Sequence, residues 1–224
     1  MQARADAGRS APRRLSRHAA AVLVAATVGG VAIGLTLRLL LAGHPSAAAQ
    51  PVLHGQATWP AGARPAPAIQ LLRDQSGHAF SLAALRGHTV AMTFFDSHCN
   101  QACPLEGRAL AAAERALPAA QRPVLVVVSV NPLDSAASVR RAVSRWGLGH
   151  AARWYWLMGT HAELARTWLA YHIFVAPTKA DITHTEALYL IDRRGDERSG
   201  YLYPFAPRFV SADLRLLAAG VRRA

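Results

Sequence analysis

Hydrophobic and polar positions fall into three regimes along the chain. From Ala19 to Leu37 the sequence AAAVLVAATVGGVAIGLTL carries no charge, and after Arg38 it resumes as LLLA, so residues 19–41 form one apolar block. About 20 apolar residues span a bilayer's hydrocarbon core, whereas the apolar part of an export signal runs to about 7–15, which favours a retained transmembrane anchor. From residue 44 to 67 (HPSAAAQPVLHGQATWPAGARPAP) no period is visible; prolines and alanines dominate, and the segment reads as an extended, semi-rigid linker. From 68 to 224 apolar positions recur with the periods of strands and helices by turns.

In that third region Ile69 to Leu72 and His78 to Phe80 bracket an Asp-Gln-Ser-Gly turn as a hairpin would, and Thr89 to Phe95 predicts a buried strand. Leu105 to Leu117 predicts a helix. The β-branched run Val124 to Val130 predicts a central strand covered on both faces. Ser135 caps a helix to Trp146, Trp154 to Leu157 is a short strand, and Thr160 with Glu163 forms a capping box for a helix to Tyr171. Ala187 to Ile191 and Tyr201 to Tyr203 flank a turn at Asp192-Arg-Arg-Gly195, and Ser211 opens a last helix to about Val221. This order predicts a layered α/β domain on a mixed sheet, with Trp146, Trp154, Trp156 and Trp168 in its core.

Arg4, Arg9, Arg13, Arg14 and Arg17 stand against Asp6 alone in residues 1–18, which places the N-terminus in the cytoplasm and the domain outside it. The rival expectation is a cleaved signal: Ala47-Ala48-Ala49 offers a cleavage site, Arg13-Arg14 suggests a twin-arginine signal, and the mature chain would then begin near Gln50. Gly30 and Gly34 form a GxxxG pair of the kind that packs membrane helices together.

The formal charge of +12 raises the question of nucleic acid, but apart from the basic head the arginines are scattered with no run interleaved with aromatics, and none is expected to bind it. Arginine supplies every cation of the Lys/Arg class except Lys179.

The two cysteines, Cys99 and Cys103, close too small a loop to staple a fold and are better placed for chemistry. They lie in DSHCNQACP, where the strand ending at Phe95 passes to a helix. Proline is tolerated in the first turn of a helix, so Pro104 sets the helix start beside Cys103 and leaves Cys99 in the preceding turn. Free amides at the helix N-terminus then favour thiolates, and a strand-to-helix junction at a sheet edge is expected to be accessible. Two such thiolates form a redox disulfide or bind a soft metal.

The CxxxCP motif after an apolar strand, Ser129-Val130-Asn131-Pro132, Gly159-Thr160, Thr183-His184 and Tyr189-Leu190-Ile191-Asp192 with Gly195 together resemble the Sco/SenC family of thioredoxin-like copper proteins. The likeness runs in order over residues 65–205. It implies a thioredoxin-like domain over 68–224 and a bacterial inner-membrane protein with a periplasmic domain. It further implies copper, as Cu(I) or Cu(II), held by Cys99, Cys103 and His184, with the copper-accepting subunit of cytochrome c oxidase and a thiol reductant as partners. The alternative within the resemblance is a thiol:disulfide oxidoreductase that keeps a partner's cysteines reduced. A peroxiredoxin-like peroxidase is disfavoured, because no threonine and arginine flank one nucleophilic cysteine in the required pattern. Asn100 replaces a frequent proline of the family, Asn131 an aspartate. His98 is not expected to join the ligands, because its side chain should point away from that of Cys99.

Overall fold

The computed structural model describes residues 52–178 and 181–220. The basic head at 1–18 and the anchor at 19–41 lie outside them, and among the described residues no helix is long and apolar enough to cross a membrane. Among the described residues eight strands are present: β1 (Ala57–Thr58), β2 (Val90–Phe95), β3 (Val124–Ser129), β4 (Arg153–Leu157), β5 (Val175–Pro177), β6 (Ile182–His184), β7 (Ala187–Ile191) and β8 (Glu197–Leu202). The helices are α1 (Ala102–Arg115), α2 (Ala136–Trp146), α3 (His161–Ala170) and α4 (Pro207–Ala219).

Six strands form one mixed sheet in the order β1-β8-β7-β2-β3-β4, as expected of a thioredoxin-like α/β domain. β2, β3 and β4 are parallel, and β7, β8 and β1 join antiparallel on the other side. The unbroken apolar run of β3 follows from this central position. Val124, Val126 and Val128 enter one core with Phe94, Leu164 and Trp168, while Leu125 and Val127 enter the other with Phe95, Leu110, Trp146 and Trp156. Both faces are covered, and the buried polar residues of β2 and β3, Thr93 and Ser129, have their hydroxyls hydrogen-bonded.

The caps at Ser135 and Thr160 form as expected, each as a complete capping box. The last helix, however, begins at Pro207 rather than Ser211: proline with its fixed φ suits the first helical turn, where no amide partner is needed. The first expected hairpin reduces to a turn. Asp74 accepts the amides of Ser76 and His78, Gly77 takes a left-handed φ of 84°, and Arg73 pairs with Ala79 only as an isolated bridge.

The largest correction concerns the linker. Residues 52–67 do not extend away from the domain: they form a strap along the sheet edge, and the compact unit begins at position 51 instead of 68. β1 pairs Ala57 with Gly200 and Thr58 with Ser199, Pro65 bridges Asp196, and the Glu197 amide donates to the Arg64 carbonyl. Trp59 lies so close that a Cβ on Gly200 would stand 3.1 Å from its ring, which is why glycine serves there. At the strap's start, the fully buried Asp213 carboxylate accepts hydrogen bonds from the His54 backbone and ring, Ser199 and Tyr201.

Candidate metal and thiol site

β2 ends at Phe95, Asp96 to Asn100 turn back with the Cys99 amide donating to the Asp96 carbonyl, and α1 starts at Ala102. The cysteines therefore sit at the carboxyl ends of the parallel strands, the usual ligand-binding edge of such sheets. Both are free thiols. They are less accessible than a sheet-edge junction suggests, with Cys99 8% and Cys103 1% exposed, because Phe95, Trp146 and Trp156 of the core close over the turn from below.

The two sulfurs differ electrically. A hydrogen bond from the Cys103 thiol, helped by the amides of Gln101 and Cys103, brings the Cys99 thiol down to about 6 against the opposing effect of burial. The same shared hydrogen bond, together with burial, pushes Cys103 far up. Behind Cys103, one turn on, Glu106 is fully buried with one oxygen taking the Thr93 hydroxyl at 2.7 Å, and burial lifts it to about 8. The pair thus rests as one thiolate and one thiol. Raising pH through about 6 deprotonates Cys99, so its alkylation by iodoacetamide should climb through that pH and level off above it, with Cys103 unmodified. Peptide mass spectrometry reads this, and a Cys99 midpoint near the ordinary 9.0 would refute the role of the amides and the partner thiol.

The third residue singled out in the sequence, His184, lies on a small antiparallel hairpin, β5 with β6, that sequence periodicity did not reveal. Register pairs Val175 with His184, and the ring Nε2 of His184 stands 3.6 Å from Cys103 Sγ. His184 Nδ1 lies 3.1 Å from the Thr185 carbonyl, which only accepts; in the neutral ring the proton sits on Nδ1 and the Nε2 lone pair faces the sulfur. Cys99, His184, Asp181 and Glu186 line one cavity of about 310 Å³. Two thiol sulfurs and an imidazole suit a soft cation, and the two carboxylates add negative charge at the mouth.

His98 is engaged elsewhere: its Nδ1 lies 3.4 Å from Asp96 and 3.3 Å from Asp134. These three are the one group of potential ligand atoms within 4.8 Å of each other among the described residues. Their oxygens are already committed, however. Asp134 takes the Ser97 amide and hydroxyl, the Ser129 hydroxyl and the Trp156 indole, while Asp96 Oδ1 takes the His98 amide and Asn131. The group ties the thiol loop to β3 and α2. It also accounts for Asn131, whose amide donates to Asp96 at 3.0 Å; an aspartate there would set carboxylate against carboxylate.

A family model described as SCO1/SenC matches residues 70–219. The chain belongs to the SCO1/SenC family. The structure of Bradyrhizobium japonicum ScoI with copper bound is similar at 26% identity and a TM-score of 0.56, covering 68% of this chain and 98% of that one. Yeast Sco1 with copper bound shares the fold at 19% identity and a TM-score of 0.60, covering 72% and 92%. BsSco, described as a member of the Sco family of cytochrome c oxidase assembly proteins with a disulfide switch, does so at 18% identity and a TM-score of 0.61, covering 75% and 100%. Among curated protein sequences none matches. Two of these structures hold copper, and here Cys99 and His184 line one cavity with Cys103 buried beside His184.

Proposed function

We propose that this SCO1/SenC protein is a copper chaperone that holds one ion through Cys99, Cys103 and His184 and passes it to the copper-accepting subunit of cytochrome c oxidase. The observation that carries the reading is the approach of His184 Nε2 to Cys103 Sγ at 3.6 Å, with the other ring nitrogen turned to a carbonyl. Nitrogen and sulfur donors bond borderline and soft metals at about 2.0–2.3 Å, so one ion spans such a gap. Three protein donors leave a position open for a receiving ligand. The membrane reading joins this one as a proposal, supported by the length of the 19–41 block and the arginines before it.

A thiol:disulfide oxidoreductase is the second reading, favoured by the asymmetry of the thiols: an activated Cys99 attacks, and a protonated Cys103 waits to resolve the mixed disulfide. Copper binding and disulfide formation compete for the same sulfurs. Reduced protein should therefore take up one Cu(I) per chain, and protein oxidised to the Cys99–Cys103 disulfide should take up none in competition with a Cu(I) chelator. Equal retention by both forms would exclude the thiolates as ligands.

A further inference from the structure

The charges of the described surface are segregated by sign. No Asp or Glu is among the exposed residues; Asp74, Asp96, Glu106, Glu114, Asp192, Asp196, Glu197 and Asp213 are buried, and the remainder are half-covered. Exposed arginines run from Arg73 to Arg215, and the only arginine–carboxylate ion pairs among the described residues are Arg64 with Glu197 and Arg198 with Asp192. The arginine-rich sequence is thus more cationic at the surface than its formal charge suggests.

One element concentrates this charge in a shaped site. α2 buries Val139, Ala142, Val143 and Trp146, and its outer face carries Arg140, Arg141 and Arg145. No side-chain hydrogen bond or ion pair of these three guanidinium groups is present among the described residues. Arg141 and Arg145 are four apart, a like-charge spacing that destabilises a helix. Arg145 in the last turn is favoured by the helix dipole, but Arg140 and Arg141 at mid-helix are not. Two adjoining hollows, about 640 and 480 Å³, meet at Arg140 and Ser144. The second continues past Val143 to His150 and Trp154, so the groove has guanidinium walls and a partly apolar floor.

We propose that this groove docks an acidic segment of another protein, one in which carboxylates alternate with an apolar side chain. Guanidinium groups grip carboxylates through paired hydrogen bonds, and a half-buried tryptophan accepts an apolar side chain in the floor. The three guanidinium groups follow one helix face and lead to the half-buried Trp154, a linear run of charged and apolar positions that an extended peptide matches. The inference does not depend on copper. The part of the groove beside Trp154 lies at the end of the sheet away from the thiols, since Trp154 pairs with Leu125 and Leu125 with Ala91 near the start of β2, so a segment bound there leaves the thiol cavity open.

The test uses the full chain in a neutral detergent, with a fluorescein-labelled peptide of alternating Glu and Leu as the probe and fluorescence anisotropy as the readout. The wild type should bind, more tightly at low salt than at about 0.15 M. R140E/R141E/R145E should weaken binding about tenfold or more, as three exposed ion pairs together supply, and the milder R140Q/R141Q/R145Q should weaken it by less. The same charge change made elsewhere, R73E/R166E/R208E, should leave affinity within about twofold. Equal losses in both reversed variants would reduce the effect to net charge and overturn the groove. So would tighter binding of a short-chain phosphatidylglycerol or of an oligonucleotide of matched charge. Thermal melts report folding of each variant, and Cu(I) stoichiometry, read in parallel, should be unchanged by α2 reversal.

Discussion

Replacing Cys103 by Ser should remove tight Cu(I) binding altogether. Metal–thiolate sites develop apparent binding free energies on the order of 10–16 kcal/mol, so losing one of three donors should cost about 3–5 kcal/mol, or about two to four decades in affinity. Cys103 is the member that both other donors meet: it shares a hydrogen bond with Cys99 and stands 3.6 Å from His184. Cys99→Ser should be nearly as damaging, and His184→Ala should cost less because both sulfurs remain. His98→Ala should change affinity little, since that ring is occupied by Asp96 and Asp134. Titration against a Cu(I) chelator measures all four. Wild-type affinity in the first three variants together would dismiss the site.

Asp213→Ala should be the most destabilising single change away from the thiols. The carboxylate is fully buried, and its oxygens take the His54 amide at 3.0 Å, the His54 ring at 2.7 Å, Ser199 at 2.7 Å and Tyr201 at 2.6 Å. Truncation leaves the buried Ser199 and Tyr201 hydroxyls without a partner, while the exposed His54 turns to water, and breaking such a network costs about 3–4 kcal/mol. For a domain of this size that is a fall in Tm of about 10 °C or more. Because two of the donors belong to the strap, residues 52–67 should also become the first site of proteolysis. A loss under about 1 kcal/mol by denaturant titration would show that the network does not hold the strap.

Much of the architecture is written locally. A β-branched run such as Val124 to Val128 has one stable setting, a strand between two layers, and Ser135 or Thr160 three residues before a matching polar partner fixes a helix start. The thiol loop is equally legible because proline, cysteine spacing and the preceding apolar strand all act within a dozen residues. What escaped depends on distant partners. Ala57 and Thr58 form a strand only because Gly200 and Ser199 lie opposite, and nothing near residue 57 announces that. His184, one of ten histidines, is named by the family resemblance and not by any local signal: its place beside Cys103 follows from a hairpin whose strands are three residues each, too short for a period to show. Asp96 and Asp134 carry no signal in the sequence, and Asn131 stands out there only as a departure from the family; the fold reveals all three as the frame of the thiol loop.

The strap alters the scale on which the domain works. A linker over 44–67 would let a tethered domain roam about 80 Å, whereas one ending at residue 51 leaves about ten residues, at most about 35 Å fully extended. The register also fixes where the leash attaches. Gln56 exchanges hydrogen bonds with Leu202, Leu202 pairs with Ala187, and Leu188 pairs with Thr93, so the chain enters at the thiol end of the sheet. On the proposed membrane reading, a tether this short limits how far the candidate cavity travels from its point of attachment. An acceptor in the same membrane then meets it at a raised effective concentration, and one free in the surrounding solution does not.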